Sequence, residues 1–188
     1  MSEFLLTKMN PKGASWEFSG RGGVVAFTQY DIAAALSFGA LPLPAYYLAR
    51  AKYCEDHQAA ESLRAHLLDK IEKESLQQDW KITKDNACGI ADLLMAESVF
   101  DIQCKACKGL GYLYEKSGSI NSSRRCEKCN GSGVGVLSQR KRAAMAKIAL
   151  TTWHRHWNER LDFLMCYIKE LEEHVVKHIN EQCGHKYN

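Results

Sequence analysis

Apolar residues recur at three- and four-residue steps along most of the chain, the spacing that lines one face of an α-helix. Ala60, Leu63, Leu67 and Ile71 mark a helix over residues 58–76. After a polar stretch around Gln77–Lys84, Ile90, Leu93, Leu94 and Phe100 mark the buried side of another, from about Asp85 to Asp101. Upstream, a helix is expected from Thr28, whose hydroxyl can cap the unpaired N–H groups of a first turn. It runs through Ala33, Ala34 and Leu36 until Pro42 and Pro44 break it, and a further helix follows from about Ala45 to Cys54. The longest stripe is C-terminal: Trp153, Trp157, Leu161, Leu164, Ile168, Leu171 and Val175 share one face. It predicts a long helix, continuing from Leu161 to about Glu181, that packs on the body rather than pairing as a coiled coil. Residues 1–27, with Pro11 and the Gly20, Gly22, Gly23 cluster, show little periodicity and read as a loosely ordered arm.

The periodicity lapses where the cysteines concentrate. Cys104-Lys105-Ala106-Cys107-Lys108-Gly109-Leu110-Gly111 and Cys126-Glu127-Lys128-Cys129-Asn130-Gly131-Ser132-Gly133 are two copies of one pattern, Cys-x-x-Cys-x-Gly-x-Gly, with 18 residues between Cys107 and Cys126. That spacing lets two knuckles converge on one tetrahedral zinc, with Cys104, Cys107, Cys126 and Cys129 as its ligands. The glycines suit a backbone that doubles back past the metal. Tyr112-Leu113-Tyr114 and Ser122-Ser123-Arg124 can pair as a short hairpin around Ser117-Gly118-Ser119. Four thiolates close the coordination shell, so the zinc is structural: some thirty residues bury too little apolar surface to fold unaided. A redox dithiol would show one such pair beside a βαβ pattern, and a phosphate cradle would need the helix and lysine of a P-loop.

Composition changes this picture little. Hydrophobic residues make up 46% and charged residues 25%, an ordinary globular balance. No apolar run reaches the length of a membrane span, and the N-terminus lacks the basic and long apolar regions of a secretory signal. A reducing cytosol is expected, where the eight cysteines read as metal ligands and ordinary thiols rather than as a disulfide framework. Cys54, Cys88 and Cys166 are read as ordinary thiols; Cys183-Gly184-His185 could ligate a metal but sits at a tail expected to fray. No serine–histidine–carboxylate spacing or pair of acids on one face points to catalysis, so a non-enzymatic protein is expected.

Charge matters more by its distribution than by its net value of +3. From Ser138 to Arg160 there are six basic residues, Arg140, Lys141, Arg142, Lys147, Arg155 and Arg160, against the single acid Glu159. From Leu161 onward three lysines face five acids. The basic stretch reads as a short helix, a tight turn at Lys147-Ile148-Ala149-Leu150 and a second helix capped by Thr151; a small buried Ala143 in the first helix and an apolar Ile148 in the turn fit a helix-turn-helix. At roughly 100° per residue, Thr151, Arg155, Asn158 and Asp162 face away from the tryptophans, with His154 beside them. Arginine and asparagine are the side chains that read guanine and adenine edges bidentately. The candidate DNA contacts are therefore Arg140, Lys141, Arg142, Thr151, Thr152, His154, Arg155 and Asn158. A solvated amphipathic helix would show the same face, and the local basicity favours nucleic acid.

The chain resembles the lambda-type bacteriophage late-gene antitermination Q proteins. The likeness runs from Asn10-Pro11-Lys12 and the alanine-rich helix after Thr28, through both knuckles, to Thr152-Trp153-His154-Arg155 and the long terminal helix. It implies a factor in the bacterial host cytoplasm that binds double-stranded DNA near a phage late promoter. Such a factor loads onto paused RNA polymerase holoenzyme, travels with the elongation complex and carries it through pauses and terminators, with a Nus-type elongation factor as a further partner. The expected architecture is mainly α: an arm at 1–27, a helical body at 28–103, an inserted zinc module at 104–133, and a helix-turn-helix with the long C-terminal helix at 134–188. Two alternatives stay open. A J-domain-type zinc cochaperone would need four repeats and a His-Pro-Asp tripeptide, where this chain has two repeats and no such tripeptide. An RNA-binding zinc protein would favour exposed aromatic side chains.

Overall fold

The computed structural model describes residues 29–100, 102–117 and 120–184. The arm expected at 1–27, Thr28, the hairpin tip at Gly118 and Ser119, and His185 lie outside them. The chain divides into two compact units, a helical one made of Gln29–Phe100 with Leu137–Asn188, and one that contains Asp101–Val136. No helix among the described residues is long and apolar enough to cross a membrane.

In the helical unit, α1 (Gln29–Leu36) is shorter than its sequence suggests. Its end is closed by Ser37 N–H on Ala34 O at 3.0 Å and Phe38 N–H on Ala35 O at 3.3 Å, before Gly39 turns the chain at φ +83°. Pro42 and Pro44 therefore do not break α1. They start α2 (Leu43–Tyr53), with Pro42 at the N-cap and Pro44 in the first turn, where a missing N–H has no helical partner to lose.

Asp56 then starts α3 (His57–Gln77) by accepting hydrogen bonds from Gln58 N–H and Ala59 N–H. Its other oxygen receives Arg50 Nη2 at 2.8 Å. Arg50 foremost, with the Ala59 N–H, holds the Asp56 carboxyl below the usual carboxylate range. A depressed carboxyl stabilises the fold above its unfolded pKa, and that support is lost as pH falls through the folded value.

Helix α4 (Lys84–Ser98) opens with a capping box: Thr83 Oγ1 accepts Asn86 N–H, and Asn86 Oδ1 accepts Thr83 N–H. It ends sooner than expected, with Val99 at its C-cap. Phe100 therefore leaves the helical register that would have buried it, and it is 59% exposed. After the smaller unit the chain re-enters as α5 (Gln139–Met145), turns over residues 146–149, and continues as α6 (Leu150–Thr152), a π-helical turn (Trp153–Trp157) and α7 (Asn158–Gly184). Thr151 does not cap this last run. Ala149 holds the N-cap position with no side-chain hydrogen bond, because Lys147 takes φ +54° and turns the chain earlier.

The core forms where the stripes meet. Leu63, Leu67 and Ile71 of α3 and Ile90, Leu93 and Leu94 of α4 are at most 1% exposed. Trp153, Trp157, Leu161, Leu164, Ile168, Leu171 and Val175 are all buried, and Ile179 extends the row. Helix α7 packs against α1, α2 and α4. Polar ties mark its passage: Lys52 Nζ on Glu172 at 2.6 Å, His66 Nε2 with Tyr167 OH at 2.7 Å, and His178 Nε2 with Ala35 O at 3.1 Å. The stretch expected to be a polar linker hides Trp80, which is 8% exposed and lies edge-on to Trp157 and Phe163.

In the smaller unit β1 (Tyr112–Ser117) and β2 (Ile120–Arg125) form an antiparallel hairpin, with Tyr112 opposite Arg125 and Ser117 opposite Ile120. An isolated bridge joins Gln103 to Val134.

These burials separate two substitutions. Ile71→Ala should cost about 2–5 kcal/mol of stability, the range for truncating a fully buried aliphatic side chain. Phe100→Ser should stay within about 0.5 kcal/mol, as exposed positions do. Urea unfolding of both variants is the check, and equal losses would mean that Phe100 is part of the core.

Candidate functional site

The two knuckles fold as near copies. Lys108 and Asn130 take φ +53° and +48°, Gly109 and Gly131 +88° and +81°, and Gly111 and Gly133 +77° and +74°. Each knuckle is closed locally, by Leu110 N–H on Cys107 O and Ser132 N–H on Cys129 O, both at 3.0 Å. Each is also tied to the other: Cys104 N–H donates to Gly133 O and Cys126 N–H to Gly111 O, both at 2.8 Å. At this crossing the backbones nearly touch. A Cβ on Gly111 would run into Gly131 O, and one on Gly133 into Gly109 O. Glycine is required there twice over, for the left-handed backbone and for the close approach.

This crossing brings the sulfur atoms together. The Sγ atoms of Cys104, Cys107, Cys126 and Cys129 all lie within 4.8 Å of one another and could hold one metal ion. Cys104 and Cys126 Sγ are 4.0 Å apart, and Cys107 and Cys129 Sγ 3.6 Å. Both values bracket the edge of about 3.8 Å that a tetrahedron with metal–sulfur bonds near 2.3 Å would have. Backbone donors face the cluster, Gly111 N–H on Cys107 Sγ at 3.2 Å and Gly133 N–H on Cys129 Sγ at 3.3 Å, an arrangement that favours thiolates. Burial pushes the Cys107 thiol up to about 11. At Cys129 burial acts in the same direction, but the Gly133 N–H and the Cys107 and Cys126 thiols outweigh it and bring the group down to about 6.

Among the described residues of this unit, Cys104, Cys107 and Cys126 are the buried hydrophobic side chains, and only Ala106, Leu113 and Cys129 pack beside them. Among these described residues the buried side chains are thus mostly the sulfurs themselves, which makes a bound metal the natural source of the unit's stability.

The candidate nucleic-acid residues lie in the helical unit. Arg140, Lys141, Thr151, Thr152, His154 and Arg155 are exposed, along with His156. Trp153 and Trp157 point inward and stack at 6.5 Å, and Trp153 Nε1 donates to Gln139 Oε1 at 2.7 Å, tying the start of α5 to the turn that follows α6.

Two expected contacts sit differently. Arg142 is half-buried and forks onto Glu97, Nε to Oε1 at 2.7 Å and Nη2 to Oε2 at 2.8 Å. Asn158 is also half-buried, its Oδ1 enclosed without a hydrogen-bond partner. The π-helical turn just before it accounts for the change: wider i→i+5 bonding rotates later residues away from where a uniform 100° step would put them. Arg160, counted in the basic stretch, lies over the rings of Trp80 and Trp157, 5.2 and 5.1 Å from their centres. Glu97, Gln139 and Trp80 had no local signal in the sequence, because each acquires its role from a residue far along the chain.

No protein-family model matches the chain, and comparison with characterised proteins returns no match.

The convergence of the four sulfurs generates a prediction. Cys129→Ser should lower the bound metal well below one ion per chain and open residues 104–133 to amide exchange while the helical unit stays protected. Gly111→Ala should do the same through backbone clash alone. Because cysteine thiols must lose their protons to bind as thiolates, metal should be released as the pH falls. Metal content by elemental analysis, read against exchange protection, is the test. Full metal content and unchanged protection in Cys129→Ser would rule out the four-thiolate centre.

Proposed function

We propose that this protein is a zinc-stabilised DNA-binding factor of transcription that acts as an antiterminator of the lambda-type Q kind, and that it is not an enzyme. The observation that carries the DNA reading is the division of residues over α5, its turn and the helix beyond. Arg140, Lys141, Thr151, Thr152, His154 and Arg155 are in solvent, while both tryptophans are inside. Lys147 at φ +54° lies where helix-turn-helix units commonly place a residue of left-handed conformation, usually glycine. Four converging cysteine sulfurs suit zinc, which takes four thiolates in a tetrahedron and whose d¹⁰ shell imposes no other geometry. Arg140 and Lys141 are the phosphate contacts in this reading, and Arg155, with His154 and the threonines, reads base edges. Arg142 supports the helix through Glu97 instead of touching DNA. Burial of Trp153 and Trp157 argues against the RNA alternative, which would use exposed rings for stacking.

Antitermination rests on the resemblance in motif order and on one physical consideration. Binding to promoter DNA would raise the local concentration of the protein at a paused polymerase, so that weak direct affinity for polymerase suffices for loading.

Three measurements test the proposal. Arg140→Ala and Lys141→Ala should each flatten the dependence of log K on log salt by about 0.9, the contribution of one phosphate. Arg155→Ala should instead weaken discrimination at one base pair by about 1–3 kcal/mol. Single-base site variants that Arg155→Ala distinguishes as well as wild type would exclude Arg155 from base reading. For function, run-off transcription through a terminator should show a higher ratio of read-through to terminated product when the template carries the protein's site at its promoter. Scrambling that site should abolish the rise. A ratio that stays flat while DNA binding is intact would leave a DNA-binding protein without antitermination.

A further inference from the structure

We propose that Asn86, on α4, is the positioning residue for the DNA-reading helix and so determines its base discrimination; this rests on the DNA reading above. A single side-chain amide does two tasks. Its Oδ1 accepts from Thr83 N–H at 3.2 Å and from Thr83 Oγ1 at 2.8 Å, closing the start of α4. Its Nδ2 donates to Ala146 O at 3.2 Å and Lys147 O at 2.9 Å, 60 and 61 residues further along the chain. These are carbonyls at the end of α5, which no following helical turn can satisfy. The network also fixes the orientation of the amide, since a flipped Asn86 would set an oxygen against both carbonyls and a nitrogen against the Thr83 N–H.

The position of this clamp matters. Lys147 is the residue in the left-handed region, at φ +54°, where a side chain with a Cβ is strained. α6 begins only three residues later, at Leu150, so the direction of Arg155 depends on Lys147 keeping that conformation. Glycine would adopt it unaided, whereas lysine needs its carbonyl held.

Two further contacts on α4 keep the clamp in register. Gly89, three residues beyond Asn86, allows the backbones to meet: a Cβ there would run into Met145 O and lie 2.9 Å from Ala146 Cα. Glu97 takes the Arg142 fork described above. Loss of the Asn86 donor leaves those contacts and the core in place and releases the turn. Base-edge contacts, which need placement to a fraction of an ångström, fail first. Long basic side chains on phosphate tolerate the shift.

The test uses the full-length, metal-loaded chain and a random-sequence DNA duplex pool. Wild type should enrich a motif. Asn86→Ala should bind the enriched duplex at least about tenfold less selectively over a scrambled duplex, the value of one bidentate base contact. Its affinity for the scrambled duplex should change less than about twofold. Thr83→Ala, which removes the cap and spares the turn, should keep selectivity whatever it does to thermal stability. Asn86→Ala combined with Lys147→Gly should recover most of the selectivity, because glycine needs no clamp there. Amide exchange at Lys147–Leu150 should quicken in Asn86→Ala and slow again in the double variant.

Undiminished selectivity in Asn86→Ala, an equal loss in Thr83→Ala, or no recovery in the double variant would each overturn the role of Asn86. A wild-type protein that enriches no motif would instead overturn the DNA reading on which the inference stands.

Discussion

Burial of one continuous stripe on the C-terminal helical run, from Trp153 to Ile179, is the constraint on which the helical unit depends. Over 27 residues at about 1.5 Å each, the stripe covers a length of about 40 Å. It is long enough to serve α1, α2 and α4 in turn. Each of those helices is short, and α2 carries mostly alanine on its buried side, so none could hold a core alone. What the stripe buries also settles what it exposes. With the tryptophans committed inward, Thr151, Thr152, His154, Arg155 and His156 are left in solvent at one end of the run.

That end departs from regular helix, and the departure has a visible consequence. Trp153 and Trp157 are both nearly inaccessible and stack with their planes 16° apart. The π-helical turn between them widens the backbone, and π turns recur at functional positions in helices because they re-aim side chains. Here Asn158 is drawn inward with an unpaired buried oxygen. Arg160 is drawn over two indole rings, a favourable placement for a guanidinium but one that takes it from the solvent-facing set.

The cysteine unit solves its folding problem by other means. Among its described residues the cysteines are the buried hydrophobic side chains, and the paired hydrogen bonds between Cys104 and Gly133 and between Cys126 and Gly111 tie the two knuckles together around the four sulfurs. The two halves are equivalent in conformation although their intervening residues differ: Lys105 and Ala106 in one stand where Glu127 and Lys128 stand in the other. The repeated pattern therefore specifies the backbone and sulfur positions and leaves the remaining side chains open to other uses.

The amino-acid sequence by itself determined the elements whose information is local. Periodicity identified the stripe from Trp153 to Val175 and the buried sides of α3 and α4, because a helix repeats its face every three to four residues whatever it packs against. The repeated cysteine–glycine pattern identified four sulfurs that would converge, because spacing and left-handed glycines constrain a knuckle within a few residues. Tertiary structure alone decided the pairings between distant residues. Arg142 looks the same as Arg140 in sequence until Glu97, 45 residues earlier, is found beside it. Phe100 fits the helical period until α4 stops at Ser98, and Trp80 looks like a linker residue until Trp157 closes over it. The two tasks of Asn86 belong in part to each category: its cap on Thr83 lies three residues away and is legible, while its clamp on Lys147 exists only once α4 and α5 meet. Periodicity tells a residue which way to face, but the partner it meets there depends on how the chain returns.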